Sequence, residues 1–73
     1  MIRPHFKLHG HLGTVYAPMQ WNETTSTGKM LRDCQEWLHN HYPEWSRAMV
    51  YLCHHNGVNS HNDVILIERG KVL

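Results

Sequence analysis

The chain has little of what usually announces a protein's class. It has two cysteines, Cys34 and Cys53, in 73 residues. A small secreted domain usually carries more. The opening residues, Met1-Ile2-Arg3-Pro4-His5-Phe6-Lys7, hold no apolar signal core. No stretch approaches the ~20 apolar residues of a membrane span. The seven basic residues, Arg3, Lys7, Lys29, Arg32, Arg47, Arg69 and Lys71, are scattered. No run of them makes a phosphate-binding stripe, so charge does not suggest nucleic acid. Internal repeats and low-complexity segments are absent. These absences point to a cytoplasmic protein with reduced thiols and no membrane partner. Starting at Met1, the chain reads as a complete small protein.

What is present is a globular composition, 41% hydrophobic and 18% charged. A domain this small buries only ~60% of the surface its unfolded chain exposes. It therefore needs an efficient core, a metal or a partner chain. Eight histidines are the conspicuous excess. With all of them neutral the net charge is +1, and protonating all eight would take it to +9. The chain becomes increasingly basic below about pH 6.5, where an ordinary histidine titrates.

Residues 4–17 read as a β-hairpin. His9-Gly10-His11-Leu12 places glycine at the first central position of a two-residue II′ turn. In that register Phe6 faces Val15, Pro4 faces Ala17 and Leu8 faces Gly13 on an apolar face. His5 lies opposite Tyr16, Lys7 opposite Thr14 and His9 opposite Leu12 on a polar-aromatic face; a turn at Gly10 to Gly13 is the alternative register and would reshuffle the faces. Residues 18–25 read as a loop, and Thr25, Ser26 or Thr27 supplies a helix N-cap. Over residues 27–42, Met30, Leu31, Cys34, Trp37, Leu38, His41 and Tyr42 fall at helical spacing. Lys29, Arg32, Asp33, Glu36 and Asn40 occupy the opposite face. Pro43 ends the helix, because the residue before proline is pushed out of the α region.

Residues 47–53 and 63–68 read as strands, joined by a polar loop with Asn56-Gly57 as its turn signal. Arg69-Gly70 then turns into a short tail, Lys71-Val72-Leu73. The expected fold is a single α+β domain over residues 1–73, of order β-β-α-β-β. It is an antiparallel sheet of about four strands with one amphipathic helix on one face.

The last two strands are apolar on both faces. Ala48, Val50 and Leu52 alternate with Met49, Tyr51 and Cys53, and Val64 and Leu66 alternate with Ile65 and Ile67. A half-exposed antiparallel strand should alternate apolar with polar residues. Something is therefore expected to cover the second face: the first hairpin folded over, a second copy of the chain, or another protein.

The chemistry-bearing residues do not form a recognisable set. Cys53, His54, His55 and His61 are the best metal candidates, since a thiolate and imidazoles suit zinc. The usual C-x₂-C pairing is missing, which weighs against zinc as a cofactor. His39 and His41 fit the last helical turn, where the helix dipole favours imidazolium. Nothing selects a catalytic pair among the cysteines and histidines, and little room is expected for a concave pocket. Trp21 and Trp45 either close the ends of the core or stand out as aromatic anchors, Trp45 being the favoured anchor.

The resulting expectation is a non-enzymatic binding protein with a protein partner, itself included as a homodimer. Stand-alone proteins of this size are common among phage and mobile-element products that modulate host machinery. The expected contact residues are His5, Lys7, His9, Tyr16, Trp45, Met49 and Tyr51. A nucleic-acid binder and a histidine-based metal or pH-responsive module are the alternatives.

Overall fold

A computed structural model describes residues 1–70; the tail expected at 71–73 lies outside the described residues. The elements are β1 (Ile2–Leu8), β2 (Val15–Tyr16), α1 (Thr27–His41), β3 (Arg47–Asn56) and β4 (Asn59–Glu68). The four strands form one antiparallel sheet in the order β2-β1-β3-β4. This is the expected α+β architecture, with the helix on one face.

The alternation of β1 makes it a two-sided strand. Ile2, Pro4, Phe6 and Leu8 are buried, while Arg3, His5 and Lys7 point the other way. Cross-strand pairing carries the same division into β3, with Phe6 beside Val50, Pro4 beside Leu52 and Leu8 beside Ala48. Ile67 and the half-buried Ile65 extend it into β4. Helix residues Met30, Leu31, Cys34 and Leu38 close this core from above.

The first hairpin keeps the expected register at two pairs only, His5 with Tyr16 and Phe6 with Val15. The pairs expected beyond them do not form. The turn is also different. The His11 N–H bonds the Leu8 carbonyl at 3.1 Å, and Gly10 takes φ 81°. Glycine thus sits third in a type II turn that opens a longer loop, not second in a II′ hairpin turn. The chain regains the edge of β1 at Trp21, which exchanges backbone hydrogen bonds of 2.8 and 2.9 Å with Ile2.

The helix begins and ends on physical signals present in the sequence. Ser26 caps it by accepting from the Lys29 N–H at 3.2 Å. Lys29 pairs with Asp33 at 3.1 Å, and the Trp21 indole N–H donates to the same carboxylate at 3.0 Å. These contacts, the indole first, hold the Asp33 carboxyl below its usual range. Tyr42 ends the helix by donating its N–H to Leu38 at 2.8 Å. Gln35 is a buried polar residue that the apolar periodicity did not include.

The largest departure from expectation is at residues 54–62. They do not form a loop. They continue β3 and β4 into a long hairpin whose last pair is Asn56 with Asn59. Gly57, at φ 64°, is the first central residue of a two-residue turn. Positive φ at that position alone is the II′ pattern, whose twist suits paired strands.

Candidate functional site

The second face of the sheet is open. The first hairpin does not fold over it, because β1 and β2 are strands of the same sheet. Of the three covers expected for this face, the folded-over hairpin is therefore excluded.

Three cross-strand rows form the middle of the face. Tyr16, His5, Tyr51 and Val64 form one row across all four strands. Lys7, Met49 and Leu66 form the next, and Arg3, Cys53 and Asn62 the third. Tyr16 is 74% exposed, and Met49, Val64 and Leu66 are exposed as well. The polar-aromatic face of the first hairpin and the second face of β3 and β4 are one continuous surface.

Its centre is pre-ordered. The His5 ring lies flat on Tyr51, with centroids 4.7 Å apart and planes within 3°. Tyr16 flanks His5 on the other side at 5.7 Å. The Lys7 ammonium sits over the Tyr51 ring at 5.7 Å, a cation–π placement. Burial, reinforced by the charge of Lys7, holds the His5 imidazole below its ordinary pKa. The unprotonated ring is thereby favoured for stacking. His9 continues the β1 alternation just beyond Lys7, its N–H bonded to the Arg47 carbonyl at 3.0 Å.

Trp45 is not an exposed anchor. It is 4% exposed, and its indole N–H donates to His39 Nδ1 at 3.2 Å. Its flat ring completes the core at the end of the helix, and this displaces it from the contact set. Trp37 is half-buried and stacks on Phe6 at 5.8 Å.

The four expected metal candidates are divided by the sheet. Residues adjacent along a strand point to opposite faces. Cys53 and His55 therefore share the open face, with Sγ and Nε2 3.2 Å apart. His54 and His61 face the other side as direct cross-strand partners. The thiolate-plus-imidazole quartet does not form. Asp63 joins the two histidines instead; a loop over residues 54–62 would assign them no face, and only the cross-strand pairing brings the three together.

A groove of about 430 Å³ separates the β1–β2 loop from the end of the helix, with His9, His11, His41 and Tyr42 on its walls. Little room for such a concavity was expected from chain length. The other cysteine, Cys34, is fully buried. Burial, with the neighbouring Asp33 charge, pushes its thiol up to about 12.

Among the described residues, no helix is long and apolar enough to cross a membrane. No family model, curated protein or solved structure matches the chain. Fold and site together define a small α+β domain with one helix-covered and one open sheet face.

Proposed function

We propose that the protein is a non-enzymatic binding module that occludes or bridges another protein through its open sheet face. The observation that carries this reading is the convergence of Tyr16, His5, Tyr51, Lys7, Met49, Val64 and Leu66 on one uncovered surface. Aromatic and methionine side chains are enriched at interface centres, and charged groups at the rim set orientation. The matching partner presents an apolar patch bordered by carboxylates, facing Arg3, Lys7 and Arg47. Side chains held on paired strands lose little freedom on binding, so the surface is preorganised. Its size suits a modulator of host machinery carried by a phage or mobile element, acting in the cytoplasm.

A second reading has its own observation. The Tyr16–His5–Tyr51 row, flanked by Arg3 and Lys7, is a platform on which unpaired bases stack. Binding of that kind falls steeply with salt. A net charge of only +1 makes it the weaker of the two.

Photocrosslinking in the source cells separates these readings. A photoreactive residue replaces Leu66 on the open face or Asn40 on the outer side of the helix. A discrete protein adduct from position 66 and none from position 40 supports the proposal. A nuclease-sensitive adduct replaces it with nucleic-acid binding, and an adduct of twice the chain mass replaces it with self-association.

A further inference from the structure

We infer that the β3–β4 hairpin carries a separate site for one first-row divalent metal ion of the zinc class, held by His54, His61 and Asp63. The site lies on the helix side of the sheet, opposite the open face, and is independent of whatever binds there.

The hairpin register creates it. His54 and His61 are direct cross-strand partners, so their Cβ atoms stand ~5 Å apart on one face. Their rings lie parallel within 2°, with centroids 4.6 Å apart. Asp63 is two residues along β4 from His61 and so shares its face. Its Oδ2 is 2.8 Å from His54 Nε2. One donor atom from each of the three side chains lies within 4.8 Å of the others. Tetrahedral zinc, with bonds of ~2.0–2.1 Å, needs donors ~3.4 Å apart. His61 and Asp63 are exposed, and rotation of their side chains supplies that closure.

The surroundings of His54 support a ligand role. Both ring nitrogens face carboxylates. Nε2 meets Asp63, and Nδ1 points toward Glu23 Oε2 at 3.7 Å. Glu23 is itself held by the Met1 amino group at 2.6 Å. A carboxylate on the far nitrogen fixes the tautomer and raises the basicity of a metal-bound imidazole. With the Nδ1 proton directed to Glu23, the Nε2 lone pair is free to bind metal. The ion would lie between Nε2 and the Asp63 carboxylate, which are 2.8 Å apart. Two imidazoles and one carboxylate on a divalent ion leave a coordination position for water or a further ligand. Cys53 and His55 are excluded because they lie on the opposite face.

The test uses untagged, chelator-stripped protein titrated with zinc chloride and read by native mass spectrometry and calorimetry. The expected result is one zinc per chain, with affinity at least tenfold weaker in His61→Ala and in Asp63→Asn. Cys53→Ser and His55→Ala on the open face, and His11→Ala in the groove, should bind as wild type. Because His61 and Asp63 are exposed, their variants keep the fold, which far-UV circular dichroism checks. Absence of a stoichiometric adduct overturns the inference. So does an adduct that survives both His61→Ala and Asp63→Asn, or one lost in Cys53→Ser.

Discussion

Two leucines on neighbouring strands give a matched test of the two faces. Leu52 on β3 is fully buried beneath the helix, whereas Leu66 on β4 is 49% exposed on the open face. Truncating each to alanine removes the same atoms. At Leu52 the loss combines transfer of a buried side chain with the cavity left beneath α1. Such changes cost ~2–5 kcal/mol. At Leu66 only about half of a ~1.5–3 kcal/mol burial contribution is present, and no enclosed cavity forms, so the cost is ~1 kcal/mol. A domain of this length has ~4–11 kcal/mol in total. Leu66→Ala should therefore fold normally with a melting temperature lowered by ~4–8 °C. Leu52→Ala should be severely destabilised or unfolded. Urea denaturation followed by tryptophan fluorescence measures both, given an unchanged dependence on denaturant. Equal costs at the two positions would refute the reasoning. They would mean that the open face is covered in solution, and a cost that grows with protein concentration would identify a second copy as the cover.

Three further outcomes follow from local features. Gly57→Ala places a side chain at φ 64° and should weaken the hairpin by ~1–2 kcal/mol, seen as faster amide hydrogen exchange in residues 54–62; unchanged protection would contradict the turn. His5 is depressed by burial and Lys7, so the folded state binds fewer protons there than the unfolded chain. Its contribution is complete above about pH 6.5 and is lost as pH falls through that value toward the lower folded pKa. Wild type should lose more stability than His5→Gln between pH 7.5 and 5.5, and an NMR titration midpoint for His5 at or above 6.5 would refute the cause. Cys34 should resist a thiol reagent until the protein unfolds, because it is buried and its thiol is pushed up to about 12; rapid reaction of two thiols in the native state would contradict the core.

The parts of the fold legible in the sequence were those in which side-chain pattern and backbone geometry agree. Apolar spacing from Met30 to Leu38, with a capping residue among Thr25, Ser26 and Thr27 before it and Pro43 after it, places α1 to within a residue or two; the structure selects Ser26. The alternation of β1 is sufficient to separate its two faces, and the pairing of His5 with Tyr16 forms although the turn expected to set it does not. The apolar character of both sides of β3 and β4 marks a second face in want of a cover, but does not say whether the chain itself supplies it. What stayed hidden was carried by the backbone alone. Residues 54–62 carry no apolar side chain apart from Val58, so no apolar alternation marks them as strand. Their ladder depends on N–H and C=O pairing and on Gly57, and the metal candidates were consequently grouped along the chain instead of across it. The pairing of β1 with β3 is a long-range contact that gives no local signal. Trp45 could equally have closed a core or met a partner; the Arg69 side chain, bonded to the carbonyls of Pro43 and Trp45, helps to fix the segment that turns it inward.

The central claim is that the open face is the working surface, and the affinity of the crosslinked protein partner tests it most directly. Wild type, Tyr51→Ala and Glu36→Ala would be compared by calorimetry, with circular dichroism as the check on folding. The account predicts that Tyr51→Ala loses about 2 kcal/mol of binding, roughly 30-fold in affinity, as expected for a central aromatic anchor, while Glu36→Ala on the far side of the helix binds as wild type. A folded Tyr51→Ala variant that binds with wild-type affinity would contradict it.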